Sequence, residues 1–251
     1  IPVVNEPLPV IKNSIESIVN QTFPSEQVVL VYTMEEKYSE EMKKTLDEAI
    51  KPYKSKLHKF LYYIHPKGIE GEAVGVAGAN RTWGAKHAVE DLIKAKENLR
   101  NYIFSTIDAD HVLHPQYIAR LTHLYLSADK RDNHYYTTAV HLFSNNLWEV
   151  PVVMRIEANA ITLGVLSNWS NHKSLDSEAS FSSYSASLQT LIDTNYWDVQ
   201  LGVDDTLFYW RAFFIRNGEF DGIPHYIPYS ADAVQGNTYW GSYKSLYKQL
   251  L

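Results

Sequence analysis

The chain has no cysteine among its 251 residues. That absence excludes a disulfide scaffold, a zinc-thiolate centre and a thiol nucleophile together, and it implies a reducing compartment. No run of Lys and Arg is present. With 29 acidic side chains against 23 basic ones the formal charge is −6, so the cationic footprint that a phosphate backbone demands is missing and a nucleic-acid partner is excluded. There is no internal repeat, no low-complexity tract and no signal peptide. No apolar run is long enough to cross a bilayer: the best candidate, Val150 to Leu166, carries Arg155, Glu157 and Asn159 in its middle, so the chain as given is expected to be soluble. Three glycosylation-like tripeptides, Asn20-Gln-Thr22, Asn80-Arg-Thr82 and Asn168-Trp-Ser170, carry no weight without other signs of secretion.

What is present is a folded-protein composition, 45% hydrophobic, 21% charged and 13% aromatic, enough for a sizeable core. Apolar periodicity predicts strands at Ile1 to Val4, Val28 to Tyr32, Lys59 to Ile64 and Tyr102 to Ile107. Helices are predicted between them at Leu8 to Asn20, Glu35 to Ile50 and Asn80 to Lys96. This βαβαβαβ order predicts an α/β fold, an open, mostly parallel sheet with helices on both faces, which binds ligands at the carboxyl ends of its strands. The second half is less regular: helices at Pro115 to Leu126, Val150 to Leu166, Asp205 to Arg216 and Tyr239 to Leu251, a strand at Tyr135 to Phe143, and a Ser- and Asn-rich loop from Ser167 to Ser187.

The most informative peptide is Phe104-Ser-Thr-Ile-Asp-Ala-Asp-His111, an apolar strand that runs straight into two carboxylates one residue apart. Hard oxygen ligands so placed suit Mg²⁺ or Mn²⁺, and such an ion can bridge a nucleotide diphosphate. The alternative is that Asp108 caps a turn and Asp110 starts a solvated loop. His111 is a second-tier metal candidate, whereas His114 sits directly before Pro115 and reads as a helix-entry residue. Gly202-Val-Asp-Asp-Thr206 places two acids at a helix start. One of Asp204 and Asp205 is either the N-cap or a general base toward an acceptor hydroxyl. Asn5 and Glu6 follow the first strand, where a nucleotide would lie in such a sheet. Trp148, Trp169, Tyr184, Tyr196 and Trp197 cluster in the second half, and one or two of them are expected to stack on sugar at an acceptor site.

Taken in order, these pieces resemble the inverting glycosyltransferase family 2 with the GT-A fold, which includes cellulose, chitin and hyaluronan synthases. The matching pieces are Val3-Val-Asn-Glu-Pro7, Ser17-Ile-Val-Asn-Gln21, Arg81-Thr-Trp-Gly-Ala-Lys86, Asp108-Ala-Asp110, and Asp204-Asp205 followed by Arg211 and Gly218. The resemblance implies one GT-A catalytic domain over 1–251, with a nucleotide-sugar half (1–111) and an acceptor half (112–251). It implies a Rossmann-like nucleotide-diphospho-sugar transferase using a UDP- or GDP-sugar donor, a glycan or lipid-linked acceptor, and Mn²⁺ or Mg²⁺. By the same resemblance Asn5, Glu6, Arg81, Lys86 and Asp108 bind the donor. Asp110, with Asp108 and His111, holds the metal, Asp205 with Asp204 is the catalytic base, and Tyr184, Trp197 and Gln249 meet the acceptor.

The chain departs from that family in two places. After the second strand it has Tyr32-Thr-Met-Glu35 where the family usually supplies an aspartate to the base or ribose. Its end, Gln249-Leu-Leu251, matches only the start of the family's Gln-x-x-Arg-Trp. The expectation is therefore a fragment of a membrane-associated protein, with membrane segments outside this sequence and this piece at the cytoplasmic face. Two other classes compete: a catalytically silent carbohydrate- or nucleotide-binding domain of the same fold, and a sugar nucleotidyltransferase. The latter would normally carry a Gly-rich turn where this chain has Asn5-Glu-Pro7.

Overall fold

Side chains of a strand alternate between two faces. In β2 (Val29–Glu35) the alternation is legible: Leu30, Tyr32 and Met34 are buried on one face with α1 (Leu8–Val19) and α2 (Ser39–Ile50). Val29 and Thr33 face the opposite side, toward α3 (Ala77–Lys94). The computed structural model of the protein describes residues 1–73, 75–170 and 183–250, with side chains described up to 247. It is a mixed α/β fold. β1 (Pro2–Val3), β2 and β3 (Lys59–His65) form a parallel sheet in the order β1-β2-β3. Ile11, Ile15 and Ile18 of α1 are buried against Met42, Leu46 and Ile50 of α2, and each fully buried isoleucine contributes roughly 1.5–3 kcal/mol. On the other face α3 comes so close to β2 that a Cβ on Gly84 would lie 1.7 Å from Thr33 Oγ1.

The expected single sheet is corrected at its fourth strand. β4 (Ile103–Thr106) belongs to a different sheet and pairs antiparallel with β8 (Tyr184–Ser187). That sheet continues through β6 (His134–Thr138) to β9 (Asp221–His225), with β6 antiparallel to β8 and parallel to β9. β8 lies within the stretch read as a loop, because its Tyr184-Ser-Ala-Ser187 is too polar to read as a core strand, yet all four residues are buried. The rest of that stretch is the end of α5 (Val152–Ser170), residues 171–182 outside the described part, and Ser183. Tyr135, Tyr184 and Phe208 pack on one face of this sheet with α7 (Asp204–Ile215), and Tyr136 packs on the other with Leu121 and Tyr125 of α4 (Tyr117–Ser127).

Three short strands, β5 (Val112–Leu113), β7 (His141–Leu142) and β10 (Tyr229–Ser230), form a third sheet. The remaining helices are α6 (Leu188–Asp193), which the sequence did not predict, and α8 (Tyr239–Leu250). Among the described residues no helix is long and apolar enough to cross a membrane.

Two histidines of this framework are buried. His141 packs against Tyr229 and His225 lies edge-on to Tyr117. Burial lowers both imidazoles from 6.5 to about 4; the charge of His111 adds to the effect on His141, and that of Arg120 to the effect on His225. The unfolded chain therefore binds protons between those values that the folded chain refuses. Full stability is present above pH 6.5 and is lost as pH falls toward 4, by up to roughly 3 kcal/mol per histidine. Thermal unfolding of His225→Gln should show a shallower fall between pH 7 and pH 4.5 than the parent chain; parallel profiles would remove His225 from the acid sensitivity.

Candidate functional site

The carboxyl ends of β1, β2, β3 and β4 lead into the loops that carry the predicted polar residues, the position at which open α/β sheets bind ligands. At their centre stands Arg81 of α3. Its Nη1 donates to Asp204 Oδ2 at 2.8 Å and to Asp205 Oδ1 at 2.9 Å, and its Nη2 donates to Asp108 Oδ1 at 3.2 Å. The planar fork of arginine lets one side chain meet carboxylates from several directions. The two acidic motifs, 96 positions apart by the numbering of Asp108 and Asp204, thus share one cleft.

Neither alternative drawn from helix capping holds. The N-cap of α7 is Val203, with no side-chain cap; Asp204 and Asp205 are the first helical residues and turn toward Arg81. The helix dipole favours acids there. Close approach of α3 and α7 requires Gly78, where a Cβ would lie 2.1 Å from the Asp198 carbonyl oxygen and 2.9 Å from Asp204 Cβ. Asp204 is almost fully buried, which raises its carboxyl above the ordinary value against the opposing pull of Arg81. Asp108 is held below its ordinary value: burial pushes it up, but the charges of His111 and Arg81 outweigh that. Burial works to lower the Arg81 pKa, yet Asp205, Asp108 and Asp204 together raise it, so the guanidinium is permanently charged.

Asp110 faces a second group. Its Oδ2 accepts from the Asp232 amide at 2.8 Å, and its main-chain oxygen accepts from Asn145 Nδ2 at 2.9 Å. His111 lies between the two aspartates, its Nε2 3.8 Å from Asp108 Oδ2 and 3.9 Å from Asp110 Oδ1. The ring is fixed by a 2.6 Å hydrogen bond between Nδ1 and Ser183 Oγ and by stacking on Tyr229 at 4.1 Å. Among the described residues no three His, Asp or Glu side chains come together as a set able to hold a metal. Asp108 and Asp110 still each turn one carboxylate oxygen toward His111. Two carboxylate oxygens are of the hard type that Mg²⁺ or Mn²⁺ would accept, since such ions are commonly held by one or two carboxylates with water filling the remaining positions.

The two polar residues that follow β1 differ. The Glu6 carboxylate accepts from the Val4 amide at 2.7 Å. Burial raises its pKa, hydrogen bonds from the backbone oppose this, and the charge of Asp110 adds to the rise. Asn5 is exposed. Lys86 stands apart from Arg81: five residues along the helix turns it about 140° away, and its ammonium sits over the Tyr196 ring, 5.5 Å from the centroid. Tyr184 and Trp197, expected at an acceptor site, lie in the interior. Both are buried, Trp197 Nε1 donates to Tyr184 Oη at 2.6 Å, and both pack against Phe104, so they floor the Arg81 cluster. Trp169 and Tyr196 are buried as well, while Trp148 is exposed against Arg155. Gln249 lies outside the described side chains. His114 accepts from the Gln116 amide, as a helix-entry residue does.

Sequence reasoning missed two groups. One is Asp232 with Asn145 and Ser183, which fix Asp110 and His111; these residues sit in no recognisable motif. The other lies at the ends of β2 and β3, where His65 meets Glu35 at 3.3 Å and Glu72 at 2.7 Å, and Asn80 donates to Glu35 at 2.9 Å. Glu35 therefore supplies a carboxylate in the region where the expected aspartate is missing. No known family pattern matches the chain, and no match to a curated protein was found.

The Arg81 cluster generates a stability prediction. Arg81→Met leaves three carboxylates facing one another without their cation and should lower stability at pH 7 by about 3–5 kcal/mol. The deficit should shrink near pH 4. There the parent chain begins to lose its contribution from the lowered Asp108, which is present above the ordinary aspartate value and lost below it, while the variant gains by protonation. Chemical denaturation at both pH values checks this; a deficit independent of pH would mean that Arg81 acts by packing alone.

Proposed function

We propose that the chain is the catalytic domain of an inverting glycosyltransferase of the GT-A kind, transferring a sugar from a nucleoside diphosphate donor to a hydroxyl of a glycan or lipid-linked acceptor. One observation carries this reading: Asp108, at the end of a strand, and Asp204 and Asp205, at the start of a distant helix, converge on Arg81. A leaving-group site and a general base must lie in one cleft for a direct displacement, and this convergence supports both.

In this reading Asp205 takes the proton from the acceptor hydroxyl. It is more exposed than Asp204, 17% against 6% for the side chains, and so better placed to meet an acceptor. Asp204, buried and bonded to the same guanidinium, orients Arg81. Arg81 faces developing negative charge on the departing diphosphate, where a preorganised cation is worth most. Asp110 and Asp108 would hold Mg²⁺ or Mn²⁺, with His111 beside them, and the ion would supply charge neutralisation at the leaving group. Glu6, and Glu35 with Asn80, offer hydrogen-bond acceptors to the nucleoside. The cytoplasmic membrane face is proposed as the place of action, through parts of the protein outside this sequence.

The test is calorimetry and transfer assays with a panel of UDP- and GDP-sugars in Mn²⁺ or Mg²⁺. Asp110→Asn should weaken metal-dependent donor binding at least tenfold, on the order of the loss of one ligand. Asp205→Asn should bind donor normally but transfer about 10²–10⁴-fold more slowly. Unchanged donor binding in the first variant together with normal turnover in the second would overturn the proposal; binding without transfer in the parent protein would favour the silent domain.

A further inference from the structure

Between the two larger sheets lies a cavity of about 630 Å³, far larger than the water-sized voids of a close-packed interior. Its two side walls are strand edges. On one side Val29 and Val31 of β2 belong to the alternate set whose backbone groups turn away from β3. Farther along the same edge β1 already occupies that side: the Ile1 nitrogen donates to the Val31 carbonyl at 2.9 Å and the Thr33 amide to the Ile1 carbonyl at 3.0 Å. Below Ile1 no strand among the described residues pairs with this edge.

On the opposite wall β4 pairs, among the described residues, only with β8. The Leu188 amide bonds the Tyr102 carbonyl, so Tyr102, Phe104 and Thr106 address β8, and Ile103 and Ser105 aim their backbone groups into the cavity. The remaining walls are apolar helix faces, Ala88 and Leu92 of α3 on one side and Ile18 of α1 with Leu121 of α4 on the other. Unpaired backbone groups on two facing edges, closed by apolar helices, are complementary to one thing: an extended backbone with apolar side chains on both faces. An acyl chain or an aromatic ligand would satisfy the helix walls and leave the backbone groups unpaired.

We infer that this slot receives a β-strand of the same protein, the direct continuation of β1 ahead of Ile1, which pairs parallel with Val29 and Val31 of β2 on one side and with Ile103 and Ser105 of β4 on the other. It makes the first two sheets one continuous sheet. About four residues suffice at about 3.3 Å each, matching the 4 residues of β4. They are apolar at every position, because both faces are covered, and they include no proline. The slot holds Arg81 among its walls, so the inserted strand also fixes α3 against β4 beneath the acid cluster. This inference does not depend on the proposed activity.

The experiment uses the full-length protein. Its residues ahead of Ile1 are read by intact mass and terminal sequencing, and backbone amide exchange is followed at Val31, Ile103 and Ser105. The expected result is an apolar segment ahead of Ile1 with these amides protected for hours. Replacing its second residue before Ile1 by Asp should free them to exchange within minutes, lower the melting temperature by about 5 °C or more, and open the slot to a hydrophobic dye. A mature protein that starts at Ile1, a polar or charged segment there, or fast exchange at these amides in the unaltered protein would each overturn the inference. So would an apolar small molecule recovered from the slot of the full-length protein.

Discussion

One guanidinium sets the geometry of this protein's polar centre. Arg81 is nine-tenths buried and carries its charge among Asp108, Asp204 and Asp205. Three carboxylates against one cation cannot be brought together in a protein interior unless the cation is held in place, because an unpaired buried charge costs several kcal/mol. Everything that holds Arg81 is therefore part of the site. Gly84 lets α3 lie against Thr33, and Gly78 lets the first turn of α7 reach α3. Small residues at those two positions decide how near the helix can come to sheet and helix neighbours, and through that where the guanidinium stands.

The excess negative charge is distributed. On the Asp108 side, His111 is locked by Ser183 and Tyr229 with one ring nitrogen facing both aspartates of the motif. Asp232 reaches Asp110 through its main chain, so it stabilises that carboxylate by a hydrogen bond while its own carboxyl, raised by burial and by Asp110, is disfavoured as an anion. The cleft keeps more acid than base, the condition under which a divalent cation or a cationic transition state is welcome. Beneath it the floor is aromatic: Tyr184, Trp197, Phe104 and Phe208 meet edge-on or tilted, and large rigid side chains leave the overlying charges little room to relax.

α3 touches both larger sheets, with Val89 and Leu92 in the core that includes Tyr184 and Phe208, so the helix that carries Arg81 also spans the gap between the β2 and β4 edges. Fold integrity and site geometry thus share one element.

The amphipathic helices and the parallel β1-β2-β3 unit were legible in the chain because a repeating apolar spacing is a local property that burial enforces residue by residue. The α7 boundary was legible too, and its stop at Gly218, in the left-handed conformation, follows from local backbone chemistry. The acids of both motifs were visible as residue types, and Arg81 as a conspicuous cation in the third helix. Their shared bonding to the one Arg81 guanidinium was not, nor was the burial of Tyr184 and Trp197, since a tyrosine in a polar stretch carries no local sign that its neighbours are Phe104 and Phe208. Lys86 shows the difference well: five positions from Arg81 in sequence, it is turned to another side by the helix pitch. Local periodicity and turn chemistry belong to the sequence. Strand partners across a sheet, the company of Asp232, and which aromatics face inward are long-range contacts, fixed only when distant segments compete for the same buried volume.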